Sequence, residues 1–113
     1  MIQFAEFSQF PGGGLREQGN KSGQEFREDI LAPALRDAVR NDGTVTVDLD
    51  GTMGLSTSFS REAFGGLIAH EGFTVEQLMR HLVIAGSEPA SDVYAREAWD
   101  YIRSAKADRV VMN

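Results

Sequence analysis

The chain has 113 residues, a net charge of −6, 42% hydrophobic residues and no cysteine. This length predicts one folded domain with one core. No apolar run approaches the ~20 residues that cross a bilayer, and the first residues lack the basic start of a secretory signal, so we expect a cytoplasmic protein with no membrane partner. The absence of cysteine excludes disulfides and thiolate metal sites, and the acidic charge disfavours nucleic acid as a partner.

The first residues predict two short strands joined by a turn. Ile2, Phe4 and Phe7 give a partly alternating apolar pattern, which is typical of a strand. The run Pro11–Gly14 interrupts this pattern, because proline followed by glycines favours a flexible turn. Residues 15–18 follow as a second, shorter predicted strand.

A first helix is predicted from Ser22 to about Arg40. Ser22 and Glu25 have the spacing of a capping box, in which the serine accepts a hydrogen bond from a helical amide and the glutamate reaches back. Apolar residues then recur at helical spacing. Pro33 lacks a backbone N–H, so we expect a kink or break near residues 29–30.

The middle of the chain predicts a half-buried strand and a second helix. Apolar and polar residues alternate from Val45 to Leu49, which is the period of a strand. The loop Gly51–Ser60 follows, and the helix is expected at about Arg61–Glu71. Gly72 is expected to end it, because glycine readily adopts the left-handed conformation of a helix C-terminus.

The last third predicts a short helix, a buried strand and a long helix. Thr74 and Gln77 form another capping box, and the apolar run His81–Ala85 reads as a buried strand. The final helix is predicted at about Ser91–Ala107. Strands that alternate with helices predict an α/β fold, with a mixed sheet flanked by helices.

The segment after the predicted central strand resembles the nucleophile motif of haloacid-dehalogenase-like phosphatases. In this interpretation Asp48 is the nucleophile, Asp50 is the general acid/base, and the Gly51–Thr52 turn cradles phosphate with its amides. Such chemistry also needs a Mg²⁺ ion held by further acids and a lysine that neutralises the phosphate. After Lys106 the chain offers only Asp108. The structural alternative is that both aspartates lie on the polar face of a strand.

Two other patterns fall short of a ligand site. The residues from Gly14 to Ser22 nearly spell a phosphate-binding P-loop, but one inserted residue moves Lys21 out of register. His70 and His81 lack the paired helical spacing of a zinc site, so we expect them at the surface or the edge of the core. No metal and no cofactor is therefore predicted.

Three spaced segments resemble the small STAS-like domains of bacterial proteins, a fold shared with anti-sigma factor antagonists. They are Ser22–Phe26, Val47–Gly51 and Ser58–Leu67. The resemblance extends over roughly residues 3–105 and implies one STAS-like domain over residues 1–113. It further implies a regulatory module that is not an enzyme and that binds another protein, in related systems an ATP-binding histidine-kinase-like regulator.

Anti-sigma factor antagonists carry an Asp-Ser-Ser-Gly run before the corresponding helix, and its first serine is phosphorylated. The resemblance places Thr57 at that position, with Ser58 next to it, although Ser56 and Phe59 replace the family's aspartate and glycine. It implies a partner-binding surface made of Thr52, Ser56, Thr57, Ser58, Phe59 and Glu62. Two alternatives remain open: Ser58 or Ser60 serves only as a helix cap, or the chain is a structural protein that works through oligomerisation.

Overall fold

The computed structural model describes residues 1–106, and its sheet has three strands in the order β1 (Ile2–Gln3), β2 (Val45–Asp48) and β3 (Leu82–Ala85). Both strand pairs are parallel, with Ile2 beside Val47 and Val47 beside Ile84. The α/β prediction is confirmed. The expected mixed sheet is instead parallel throughout the described residues, because helices connect the strands and return the chain to the same end of the sheet.

The described residues contain seven α-helical segments: α1 (Phe4–Phe7), α2 (Gly23–Phe26), α3 (Ala32–Asn41), α4 (Thr57–Ser60), α5 (Gly66–Ala69), α6 (Val75–His81) and α7 (Pro89–Ser104). A π-helical turn, Arg27–Leu31, joins α2 to α3, and a second, Arg61–Gly65, joins α4 to α5. The final helix ends at Ser104, with Ala105 as its C-cap, before the predicted end at Ala107, which itself lies outside the described residues. The other predicted helices are present.

The N-terminal strand predictions are wrong beyond Gln3. Phe4 and Phe7 lie in α1, since a three-residue spacing places both rings on the same side of one helical turn, where both are buried. Residues 16–18 form a 3₁₀ turn, and the Gln18 side chain accepts the Leu15 amide at 3.0 Å. This local hydrogen bond closes the turn, so the segment does not extend into a strand.

The helix start at Ser22 is confirmed. Its Oγ accepts the Glu25 amide at 3.0 Å, while the Glu25 carboxylate accepts the amide of Lys21, one residue earlier than a capping box requires. The break expected near residues 29–30 is the π-helical turn that precedes Pro33. The helix ends at Asn41, as predicted.

The core lies between one face of the sheet and the helices. Apolar side chains of β2 and β3 are buried on this face, namely Val45, Val47, Leu82 and Ile84. Phenylalanines from different helices pack over them, with ring centroids 4.8 Å apart for Phe4 and Phe26 and 5.4 Å apart for Phe4 and Phe59. These edge-on contacts join the N-terminus, α2 and α4 into one apolar cluster.

A buried arginine joins the two long helical segments. The Arg27 side chain is only 3% exposed, and its guanidinium lies 3.1 Å from a Glu62 carboxylate oxygen and 3.0 Å from a Glu71 carboxylate oxygen. It also donates to the backbone carbonyl of Glu62. Burying a charge is costly unless it is paired and hydrogen-bonded, and Arg27 meets both conditions.

The tight packing against Arg27 depends on Gly66. A Cβ added at Gly66 would lie 2.0 Å from Arg27 Nη1 and 2.8 Å from its Cζ. We predict that Gly66→Ala lowers the free energy of unfolding by about 1–3 kcal/mol, the usual cost of overpacking, although alanine is the better helix former. Urea denaturation followed by circular dichroism measures the change.

Gly65→Ala is the matched control. A Cβ at Gly65 would lie 3.5 Å from the Tyr101 carbonyl oxygen, which is an ordinary contact. Its free energy of unfolding should stay unchanged or rise by up to about 1 kcal/mol, because alanine favours a helix over glycine. Equal destabilisation by the two substitutions would show that the cost of Gly66→Ala does not come from its contact with Arg27.

Candidate functional site

The end of β2 turns sharply. Asp48 Oδ1 accepts the amide of Asp50 at 2.9 Å, and Gly51 follows with a positive φ of 85°. A carboxylate that binds the amide two residues later forms an Asx turn, and glycine takes the positive φ without steric cost. The first aspartate of the phosphatase-like motif therefore shapes the turn that ends the strand.

The second aspartate, Asp50, organises the start of α7. Its carboxylate accepts the Ser87 hydroxyl at 2.5 Å and the Ser91 hydroxyl at 2.6 Å, together with the amides of Ser87 at 2.9 Å and Glu88 at 3.2 Å. The Ser87 hydroxyl, then that of Ser91, holds the pKa of Asp50 well below its usual range. Hydrogen bonds to the charged form have this effect, so Asp50 remains ionised.

These contacts favour the structural explanation of the phosphatase-like motif. The Gly51 amide, which would have cradled phosphate, donates to a Glu88 carboxylate oxygen at 3.0 Å. Thr52 is buried, and its hydroxyl has no hydrogen-bond partner within residues 1–106. The same described part of the chain contains no group of three or more acids or histidines placed to hold a metal ion. Asp50 lies beyond the strand rather than on its face.

The helix that carries the predicted surface begins earlier than expected. Ser56 is its N-cap, with Oγ accepting the Phe59 amide at 3.1 Å, and the first helical residue is Thr57 rather than Arg61. The alternative in which Ser58 or Ser60 caps the helix is wrong, since Ser56 fills that position and Ser60 is buried. The sequence concealed this start because no acidic or amide residue follows Ser56 at capping-box spacing.

The predicted partner-binding residues separate into exposed and buried groups. The side chains of Ser56, Thr57 and Ser58 are exposed, and the Ser56 and Ser58 hydroxyls lie 3.4 Å apart. Phe59 is 0% exposed and packs into the phenylalanine cluster. Predicting Phe59 as a contact residue was wrong, because it has no surface to offer: its ring points inward and anchors α4. Buried Thr52 likewise offers almost no surface.

Glu62 points towards the buried arginine. Its side chain is 22% exposed, its carboxylate is paired with Arg27 at 3.1 Å, and His70 Nε2 lies 3.7 Å away. Glu62 therefore connects the two helical segments at the edge of the predicted partner-binding surface. His81 is buried and shares a 2.7 Å hydrogen bond with the Gly43 carbonyl, so the two histidines lie at the surface and at the edge of the core, as predicted.

Two exposed apolar side chains escaped the sequence analysis. Phe10 is 72% exposed and Met53 is 62% exposed, and the Met53 amide donates to the carbonyl of Gln9 at 2.7 Å. This bond sets the two segments side by side. One sequence feature could have indicated that Phe10 and Met53 are exposed. Each lies beside a glycine-containing turn and outside the apolar periodicity of any helix or strand.

The glycine-rich turn supports this region. The Gly14 backbone packs against the Ser58 carbonyl so closely that a Cβ would lie 2.8 Å from its oxygen. The Gly14 carbonyl in turn accepts the Gln24 amide at 2.8 Å, so the near P-loop is a strap between α2 and α4. We call the exposed residues next to this strap the docking surface: Phe10, Met53, Ser56, Thr57 and Ser58.

A family model described as a STAS-like domain of unknown function (DUF4325) matches residues 22–92. The chain belongs to this STAS-like family. The resemblance inferred from the spaced segments is thereby confirmed. No curated protein and no solved structure matches the chain. In residues 1–106, no helix has the length and apolar character to cross a membrane.

The family match separates two parts of the docking surface. Residues 22–92 of the STAS-like domain include Met53, the hydroxyl cluster Ser56–Ser58 and the aspartates at the end of β2. Phe10 lies outside the matched residues. The surface therefore joins a segment within the family match to an aromatic side chain supplied by the N-terminal segment.

The depressed pKa of Asp50 predicts a pH-dependent contribution to stability. We expect Asp50→Asn to lower the urea midpoint at pH 7, because asparagine is neutral and cannot match the four accepted hydrogen bonds. Folding lowers the pKa of Asp50, so the ionised carboxylate stabilises the folded wild type at pH values above the ordinary aspartate pKa of about 3.9. This stabilisation is lost as the pH falls towards the pKa of Asp50 in the folded state.

Urea melts of both proteins at pH 7, 5 and 3 test this expectation. The difference between their midpoints should be largest at the two higher values and smaller at pH 3. Asp37→Asn is the control, because Asp37 is 67% exposed and pairs only with Arg40 in the described structure. A difference for Asp50→Asn that stays constant with pH would exclude the ionised carboxylate as its source.

Proposed function

We propose that this STAS-like domain is a non-enzymatic regulatory module that binds another protein through the docking surface. The observation that carries the proposal is the combination of two exposed apolar side chains, Phe10 and Met53, with exposed hydroxyls at the start of α4. Exposed apolar groups next to polar ones are typical of protein contact sites. We take residues 1–113 as one domain of this type.

The contacts that hold the docking surface in place support this role. Phe59 anchors α4 in the core, Ser56 caps it, and the Gly14 strap holds its flank. A surface held by buried contacts loses little conformational entropy when a partner binds. Large apolar side chains on such a surface can then supply most of the binding free energy, as hot-spot residues do in other interfaces.

The hydroxyl cluster provides a means of control. A phosphate on Thr57 or Ser58 would lie at a helix start, where unpaired amides tolerate an anion, so the fold should survive modification. A partner on this surface would have to desolvate about two added charges per phosphate. By its STAS-like character, we propose an ATP-binding histidine-kinase-like regulator as the partner. Its need for ATP is consistent with a cytoplasmic location.

Partner binding can be tested by comparing docking-surface variants with matched controls. The tagged protein is purified from its native cells, and co-purifying proteins are quantified by mass spectrometry. Thr57→Asp, Ser58→Asp, Phe10→Ser and Met53→Ser should each reduce recovery of one and the same partner by roughly tenfold or more, as hot-spot changes do. Their melting curves should stay close to wild type, because all four side chains are exposed.

The controls carry the same substitutions elsewhere. Thr44→Asp changes an exposed threonine before β2, and Met79→Ser changes a methionine that is 71% exposed on α6. Both should retain the partner. If Thr57→Asp and Ser58→Asp do not reduce recovery of the partner, the Ser56–Ser58 segment serves only to begin the helix. If the controls lose the partner equally, the docking surface is misplaced.

The phosphatase alternative has a separate test. We predict no Mg²⁺-dependent hydrolysis of p-nitrophenyl phosphate, because Asp50 and the Gly51 amide are committed to Ser87, Ser91 and Glu88. The purified protein is assayed beside Asp48→Asn, prepared identically so that a contaminating phosphatase appears in both samples. Hydrolysis by the wild type that Asp48→Asn abolishes would re-establish the enzymatic interpretation.

A further inference from the structure

Lys21 has an unusual backbone conformation. Its φ is 58°, in the left-handed region that residues other than glycine, asparagine and aspartate rarely adopt. Asp42, the other non-glycine residue with a positive φ in residues 1–106, is the C-cap of α3, where the left-handed conformation is common. Lys21 instead precedes Ser22, the N-cap of α2. Backbone strain of this kind concentrates at functional sites.

The Lys21 side chain is exposed, yet its ammonium group is held in place. The Nζ atom lies 4.9 Å from the centroid of the Phe7 ring, which is a cation–π distance. Lysine side chains are flexible and lose conformational entropy when they bind. Because the ring already restrains the ammonium group and covers one side of it, an anionic group can approach the other side at a smaller entropic cost.

Two contacts place this ammonium group beside the docking surface. The Gly12 amide, two residues after Phe10, donates to the Lys21 carbonyl at 2.9 Å. The Phe7 ring beneath the ammonium group packs against Phe59 of α4, with ring centroids 6.4 Å apart. Lys21 therefore lies next to the segment that carries Phe10 and next to α4.

The charges around Lys21 limit which partner fits. Residues 6–25 and 56–62, the segments around it, carry the acids Glu6, Glu17, Glu25 and Glu62 and the cations Arg16, Lys21 and Arg61. The Glu25 carboxylate accepts the Lys21 amide at 3.0 Å. These surroundings are slightly acidic and the whole chain carries a charge of −6, so they repel an extended acidic surface. A single carboxylate placed opposite the Lys21 ammonium group is complementary to them.

We propose that Lys21 is a partner-binding residue of the docking surface, and that the partner protein carries a carboxylate beside the apolar recess that receives Phe10. This inference rests on the proposed function and specifies the chemistry of the partner. The Lys21 ammonium group donates to that carboxylate, while Phe10 supplies the apolar contact. A charge pair at the rim of an interface adds specificity to apolar contacts, which are not directional.

Binding to the purified partner gives the first test. The partner is the protein whose recovery depends on Phe10, and isothermal titration calorimetry with the full chain measures its Kd. Lys21→Asn should raise Kd about fivefold or more, and Lys21→Glu should raise it further, because two carboxylates would then face each other. Lys21→Arg keeps the charge and should keep Kd close to the wild-type value. Lys106→Asn is the matched control, since it removes the other lysine of the chain, and should also leave Kd unchanged.

Stability distinguishes this role from a purely structural one. Asparagine tolerates the left-handed region better than lysine, so Lys21→Asn should keep the urea midpoint of the wild type or raise it while it weakens binding. A lysine that served only to cover Phe7 would give the opposite pattern. Its replacement would lower the midpoint, because the cation–π contact is lost, and would leave Kd unchanged.

The remaining outcomes overturn the inference. A Kd that is unchanged in Lys21→Asn, or raised equally in Lys21→Arg or Lys106→Asn, excludes recognition of the Lys21 charge. Weaker binding with a lowered midpoint also excludes it, because the docking surface would then have lost its shape rather than a charge. If no protein is recovered in a manner that depends on Phe10 or Met53, the proposed function fails and this inference fails with it. A Phe10-dependent partner that Lys21→Asn binds as tightly as the wild type overturns this inference alone.

Discussion

The buried guanidinium of Arg27 is the contact on which the relative position of the two main helical segments depends. The side chain extends from the segment that contains α2 and α3 to the segment that contains α4 and α5, where it contacts Glu62 and, in the turn just after α5, Glu71. Glu71 is also paired with Arg36 at 2.6 Å, so both segments share one set of charges. Such a set has directional requirements that apolar packing lacks, and it therefore fixes how the segments are rotated against each other.

The position of the docking surface follows from this arrangement. Gly66 lets the guanidinium approach the backbone, and Phe59 enters the phenylalanine cluster one and a half to two turns earlier on the same helical segment. These inward contacts leave Thr57 and Ser58 directed outward. Just after β2, Asp50 ties the end of this strand to the start of α7. Groups that resemble catalytic machinery thus serve to connect elements.

The sequence predicted the parts of the fold that local chemistry determines. The caps at Ser22 and Thr74 and the alternation from Val45 each depend on neighbours in sequence, and each was confirmed. The errors concern contacts between distant residues. Phe4 and Phe7 resemble strand residues until the packing of Phe26 and Phe59 against them is known. The role of Asp50 depends on serines about forty positions later, which no local pattern reveals.

The sequence indicated part of the proposed docking surface but not all of its residues. Resemblance to STAS-like domains directed attention to the hydroxyl cluster, and its side chains are exposed. Resemblance could not distinguish an outward Ser58 from an inward Phe59, because both lie in one helical turn whose rotation is set by tertiary contacts. Phe10 was missed because its segment is brought beside that of Met53 by a backbone hydrogen bond between distant residues, from the Met53 amide to the Gln9 carbonyl.

The two π-helical turns, Arg27–Leu31 and Arg61–Gly65, constrain how the length of this chain can vary. A π turn accommodates one more residue than the α-helix around it, so each behaves as a single-residue insertion. Loss of one residue from Arg61–Gly65 would convert this turn into regular α-helix and leave the later residues in the same rotational position, with Leu67 and Ile68 still in the core. Loss of one residue from the regular helix α5 would instead rotate everything after it by about 100° and take Glu71 away from Arg27. A change of one residue in chain length is therefore tolerated at the π turns and not in the regular helix beside them.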